Sequence, residues 1–99
     1  MHVAALTLEL RIEHAQSLKD RRQVVRSLKE QLRHAFNVSV AEIDDAHQWQ
    51  RATIAIAAVS ASRDYLTGLM HQVDSAANRM ALDLGAEVAD SYCEFQVAE

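Results

Sequence analysis

The side chains that could carry chemistry in this chain are few, and most stand at spacings that do not bring them together. Five histidines, His2, His14, His34, His47 and His71, show no ligand spacing along one helix face, and Cys93 is the only cysteine. A metal centre needs several such donors at short fixed intervals, so neither a metal nor a cofactor is expected. Glu9 and Glu94 are expected on neighbouring strands, with Thr7 and Tyr92 beside them. Paired carboxylates can do acid–base work, but on an open sheet they read more simply as a solvated pair. The only glycines, Gly68 and Gly85, provide no phosphate-cradling loop. Cys93 reads as a small core residue, and the expectation is a protein that is not an enzyme.

The cations make a clearer pattern. Residues 18–36 hold six of the ten Lys and Arg but only Asp20 and Glu30 among the acids, so this segment carries +4 and the remainder −8. At about 100° per residue, Lys19, Arg22, Arg26, Lys29 and Arg33 fall within an arc of about 80° on one helix, away from its apolar side. A single-sign ridge of this kind is a footprint for a polyanion such as RNA; the alternative is a solvated face that serves solubility and helix propensity. Arg21 differs, because it points into the apolar arc near the helix start, where burial and the helix dipole both disfavour a cation. It should therefore meet Glu42, Asp44 or Asp45 in an ion pair that fixes helix to loop. Trp49 and Arg51 gather at the same end, where Trp49 is either a lid on the core or a stacking group for a base.

These residues must be positioned by a small set of elements. Residues 3–13 alternate, with Ala4, Leu6, Leu8, Leu10 and Ile12 on one side, which predicts a strand. Ser17 then offers an N-cap with Asp20 three residues on, and Leu18, Val25, Leu28, Leu32 and Phe36 follow at helical spacing. Asn37 is a candidate left-handed residue to end that helix. Residues 38–43 predict a short strand, 44–50 a polar loop and 51–60 a third strand. Ser62 caps a second helix with the stripe Leu66, Leu69, Met70, Val73, Ala76, Ala77 and Met80; Gly85 stops it, and 87–97 form a last strand. The order βαββαβ predicts an α+β, ferredoxin-like sandwich. Residues 1–99 are expected to form one domain, with both helices on one face of a four-stranded antiparallel sheet.

Composition agrees with a globular chain: 99 residues, 49% apolar, net charge −4. The longest apolar run, Ile54 to Val59, falls far short of the ~20 residues of a membrane span, so no membrane partner is expected. The opening residues read as strand rather than leader. Together with the lone cysteine, they set the expected compartment as the cytoplasm. The open sheet face should present Val3, Ala5, Ala55, Ala57 and Val59 without aromatics on the central strands, which excludes base stacking across the sheet. Such a patch is covered by self-association or a partner, unless its alanines expose too little area to need cover.

Ser17-Leu18-Lys19-Asp20-Arg21-Arg22, Val25, Ser27-Leu28-Lys29, Phe36-Asn37-Val38-Ser39-Val40-Ala41-Glu42 and Trp49-Gln50-Arg51-Ala52 resemble the YlxP-like family of small bacterial proteins. The likeness is close over residues 3–60 and one of pattern beyond. The resemblance implies a ferredoxin-like fold and carries over Lys19, Asp20, Arg21, Trp49, Gln50 and Arg51 as motif residues, with no catalytic role attached. Genes of this family often neighbour those of translation initiation and ribosome-maturation factors. The resemblance therefore implies ribosomal RNA or a ribosomal subunit as partner.

Overall fold

Strand β1 (His2–Arg11) forms where apolar residues alternate. Ala4, Leu6, Leu8 and Leu10 are buried on one side, while Val3, Ala5, Thr7 and Glu9 are half-buried on the other. The computed structural model describes residues 1–43 and 48–99. The strand stops two residues sooner than the alternation suggests. Ile12 nevertheless stays buried, and its N–H donates to the Gln50 carbonyl at 2.8 Å.

Helix α1 (Leu18–Ala35) starts at a reciprocal cap. Ser17 Oγ accepts from the Asp20 N–H at 3.1 Å, and the Asp20 carboxylate accepts from the Gln16 N–H at 3.0 Å. Val25, Leu28 and Leu32 face the core, but Leu18, in the first turn, is 39% exposed rather than buried. The helix does not end on a left-handed Asn37, since among the described residues no residue other than glycine has a positive φ. Phe36 instead turns to extended backbone, its N–H donating to the Leu32 carbonyl at 3.0 Å. This turn leaves Phe36 half-buried against the core.

Strands β2 (Ser39–Glu42) and β3 (Arg51–Ser60) follow. Helix α2 (Arg63–Asp83) is capped by Ser62, whose Oγ accepts from the Tyr65 N–H at 3.1 Å. It ends where the sequence indicates. Gly85 takes φ +78°, its N–H donates to the Leu82 carbonyl and the Ala86 N–H donates to the Ala81 carbonyl. That pair of bonds is a Schellman closure, which needs a left-handed residue at this position. Strand β4 (Glu87–Val97) completes the sheet.

The strand order is β2-β3-β1-β4, with every neighbouring pair antiparallel. Helix α1 packs toward β2 and β3, and α2 lies over β1 and β4. Both helices therefore cover one face, as the element order predicts for a ferredoxin-like sandwich. No helix among the described residues is long and apolar enough to cross a membrane.

Candidate nucleic-acid interface

The ridge on α1 is carried by the outward side of the helix whose inward side holds Val25, Leu28 and Leu32. Lys19, Arg22 and Arg26 are exposed and Lys29 is half-buried. Ion pairs among the described residues join Arg11 to Glu87 and Arg21 to Glu42; none reaches the ridge. Even Glu30, one turn beyond Arg26 and at a spacing that favours pairing on a helix, has no ion-pair partner among the described residues. Arg33 departs from the pattern: its Nη2 donates to the Val40 carbonyl at 2.9 Å, fastening the end of α1 to strand β2. Four of the five cations are thus free to meet an anion, and the fifth has a structural task.

Arg21 is 1% exposed. Its Nη2 pairs with Glu42 Oε2, and its Nε donates to the Arg51 carbonyl at 2.7 Å. One guanidinium therefore ties the first turn of α1 to both β2 and β3, which is the brace expected from its place in the apolar arc. Asp44 and Asp45, the other partners the sequence offers, lie outside the described residues, as does His47.

Trp49 is 46% exposed and stands apart from the core cluster. With Gln48, Gln50 and Arg51 it lines an open hollow of about 310 Å³. Beside the Arg21 guanidinium, backbone and amide groups brace this end. The Gln50 carbonyl accepts from Ile12, Gln50 Nε2 donates to the Glu13 carbonyl at 3.3 Å, and the Arg51 carbonyl accepts from Arg21.

On the open sheet face, Val3, Ala5, Ala55 and Ala57 are half-buried and Val59 is 63% exposed. The register sets Val3 opposite Val59 and Ala5 opposite Ala57, so these residues form one contiguous patch. Glu9 and Glu94 are not brought together. Glu94 faces Ala5 while Glu9 faces Asp90, leaving the two glutamates about 13 Å apart along the strands. Glu9 instead accepts from Thr53 Oγ1 at 2.7 Å. Thr7 and Tyr92 do stand opposite each other.

Cys93 is exposed, contrary to its reading as a core residue. It faces the helix side of β4, but β4 is an edge strand, and α2 leaves a groove of about 220 Å³ there, lined by Thr67, His71, Asp74 and Cys93. Partial burial pushes the thiol above its ordinary pKa, and the carboxylates of Asp74 and Glu94 push it further. It is therefore a protonated thiol at neutral pH rather than an activated nucleophile. Among the described residues, no group of three or more His, Cys, Asp or Glu is placed to hold a metal ion.

The family model described as "Protein of unknown function (DUF503)" matches residues 3–92. The chain belongs to the DUF503 family. The Bacillus subtilis (strain 168) member, "Uncharacterized protein YlxP", is 44% identical over 52 residues, which span 52% of this chain and 56% of that one. The fold of this DUF503 chain is similar to that of the de novo designed protein Foldit4, with TM-score 0.54 at 9% identity over the whole of both chains. It is also similar to part of Arabidopsis thaliana MSL1, with TM-score 0.56 at 16% identity, covering 90% of this chain and 34% of that one. At such identities these likenesses concern the fold alone.

Arg21 and the ridge are readable in the DUF503 sequence from helical spacing. The fastening of Arg33 to Val40 is not, because it depends on where β2 runs beside α1. Nor is the groove at Cys93, which depends on how much of β4 the second helix covers.

Proposed function

We propose that this protein is a non-catalytic cytoplasmic accessory factor that binds structured RNA, such as ribosomal RNA within a subunit, through the outer face of α1. The observation that supports this reading is the absence, among the described residues, of any carboxylate partner for Lys19, Arg22, Arg26 and Lys29. The same chain pairs both Arg11 and Arg21, and its net charge is −4. In an acidic protein, four adjacent unneutralised cations focus a positive potential on one surface and leave the rest repulsive to phosphate. Contacts of this kind position a protein on RNA without reading its sequence.

The experiment is co-sedimentation with ribosomal particles across a salt series, together with equilibrium binding to a structured RNA. With four phosphates engaged, log K falls against log salt with a slope of about −2.8 to −3.6. The combined variant Lys19→Glu, Arg22→Glu, Arg26→Glu should abolish binding while leaving the fold intact. Association that ignores salt, or that survives this reversal, overturns the reading.

A second reading draws on the contiguous sheet-face patch of Val3, Ala5, Ala55, Ala57 and Val59, with Val59 63% exposed. It makes the protein a homodimer or a protein-docking module. Sedimentation equilibrium tests its self-associating form: a dimer that Ala55→Arg dissociates supports it, and a monomer at high concentration removes it.

A further inference from the structure

The hollow beside Trp49 has features that the ridge alone does not explain. The register places Arg51 directly opposite Arg11, and like charges directly opposite each other across strands repel. Glu87 neutralises Arg11, with Nη1 to Oε1 at 3.2 Å, but among the described residues no carboxylate pairs with the Arg51 side chain. Arg51 is exposed and shares the hollow with Trp49, whose ring is left about half in water. A flat aromatic surface beside an unneutralised guanidinium is the arrangement that receives a nucleobase and its phosphate. The hollow, about 310 Å³, lies within the range of small-ligand sites, about 300–1,000 Å³.

Its location joins it to the ridge. Arg21 Nε holds the Arg51 carbonyl at 2.7 Å, so the first turn of α1, where Lys19 and Arg22 begin the ridge, abuts the strand that carries the hollow. The Arg51 side chain, in register with Arg11 and alternating with the buried Ala52 and Ile54, leaves on the sheet face away from the helices, so a polyanion on the ridge reaches it by turning around this end of the sheet. We infer that this hollow takes an unpaired base of the bound RNA, stacked on the Trp49 indole with its phosphate on Arg51, so that the protein prefers RNA with a single-stranded loop over a plain duplex. This inference rests on the ridge being an RNA surface.

Trp49 is the only tryptophan in the chain, so its fluorescence reports on this hollow alone. The test titrates the intact protein with an RNA hairpin carrying an unpaired adenosine loop, and with a blunt duplex of equal phosphate number. Fluorescence of the indole is read beside the anisotropy of end-labelled RNA. The hairpin should quench the indole and bind more tightly, whereas the duplex should bind on the ridge without quenching. Trp49→Ala should cost about 5- to 150-fold in hairpin affinity, the range of one base–aromatic stack, and leave duplex affinity unchanged. Trp49→Phe should recover most of the loss, and Arg51→Gln should weaken the hairpin selectively. Equal affinity for both RNAs with an unmoved indole overturns the base site while the ridge reading stands. If neither RNA binds, the ridge reading falls and the base site with it.

Discussion

Arg21 and Arg22 are neighbours in sequence and opposites in environment. Arg21 lies 1% exposed between Glu42 and the Arg51 carbonyl, whereas Arg22 stands in water on the outer ridge with no ion-pair partner among the described residues. The difference is a rotation of about 100° on one helix. On the inward side a cation must be fully paired, because an uncompensated buried charge is among the costliest defects a core can carry. On the outward side water solvates the charge, so an unpaired cation costs little and remains available to a ligand. Inner and outer cations of α1 should therefore fail in different assays.

The largest effect should come from Arg21→Met. It strands the largely buried Glu42 carboxylate, and removing one partner of a buried pair costs about 3–5 kcal/mol. Glu42 keeps some exposure, which places the loss toward the lower bound. In urea unfolding the midpoint should drop sharply, and the double variant Arg21→Met, Glu42→Leu should recover most of it. A double variant no better than the single one would mean that Arg21 acts chiefly through its bond to the Arg51 carbonyl.

A second effect of moderate size lies at the start of the same helix. Ser17→Ala removes the hydroxyl that accepts from the Asp20 N–H and should cost about 1 kcal/mol, read as a lowered thermal midpoint with RNA binding unchanged. Arg33→Ala belongs with the inner cations despite its exposure. Losing its bond to the Val40 carbonyl should cost about 0.5–1.5 kcal/mol, measurable by urea unfolding. Arg22→Ala should move stability by less than about 0.5 kcal/mol yet reduce the magnitude of the salt slope for RNA by about 1. If Arg33 and Arg22 exchanged these behaviours, the division between inner and outer cations would be wrong.

The smallest effect serves as a control remote from the ridge. Alkylation of Cys93, on the α2–β4 side of the sheet, should be slow at neutral pH. Its rate should rise with pH through a midpoint above that of a free thiol, because Asp74, Glu94 and partial burial all disfavour the thiolate. The alkylated protein should retain its RNA affinity.

Much of this molecule is legible from local pattern. The period-two run Ala4, Leu6, Leu8, Leu10 marks the central strand, and Ser17, Ser62 and Gly85 mark helix ends because their side chains, or the lack of one, act on backbone groups a few residues away. Asn37 misleads for a related reason. It could have adopted a left-handed turn, but the fit of Phe36 against the core sets the helix end instead. The ridge is legible because it needs only the helical repeat. Glu9 and Glu94 are not, since a change of strand register moves one carboxylate several ångströms past another, and the register of β1 with β4 places Asp90 opposite Glu9.

The sequence by itself determined the βαββαβ order, the inward and outward sides of α1, and the need of Arg21 for an acidic partner. Each of these follows from periodicity or from interactions within one turn. Tertiary structure alone decided that Glu42 is a partner of Arg21, that Arg33 is held by Val40, that Cys93 lies in an open groove and that Trp49 shares a hollow with Arg51. These depend on the distance between elements remote in sequence, which is set by how two helices of unequal length cover a sheet whose strands run from 4 to 11 residues.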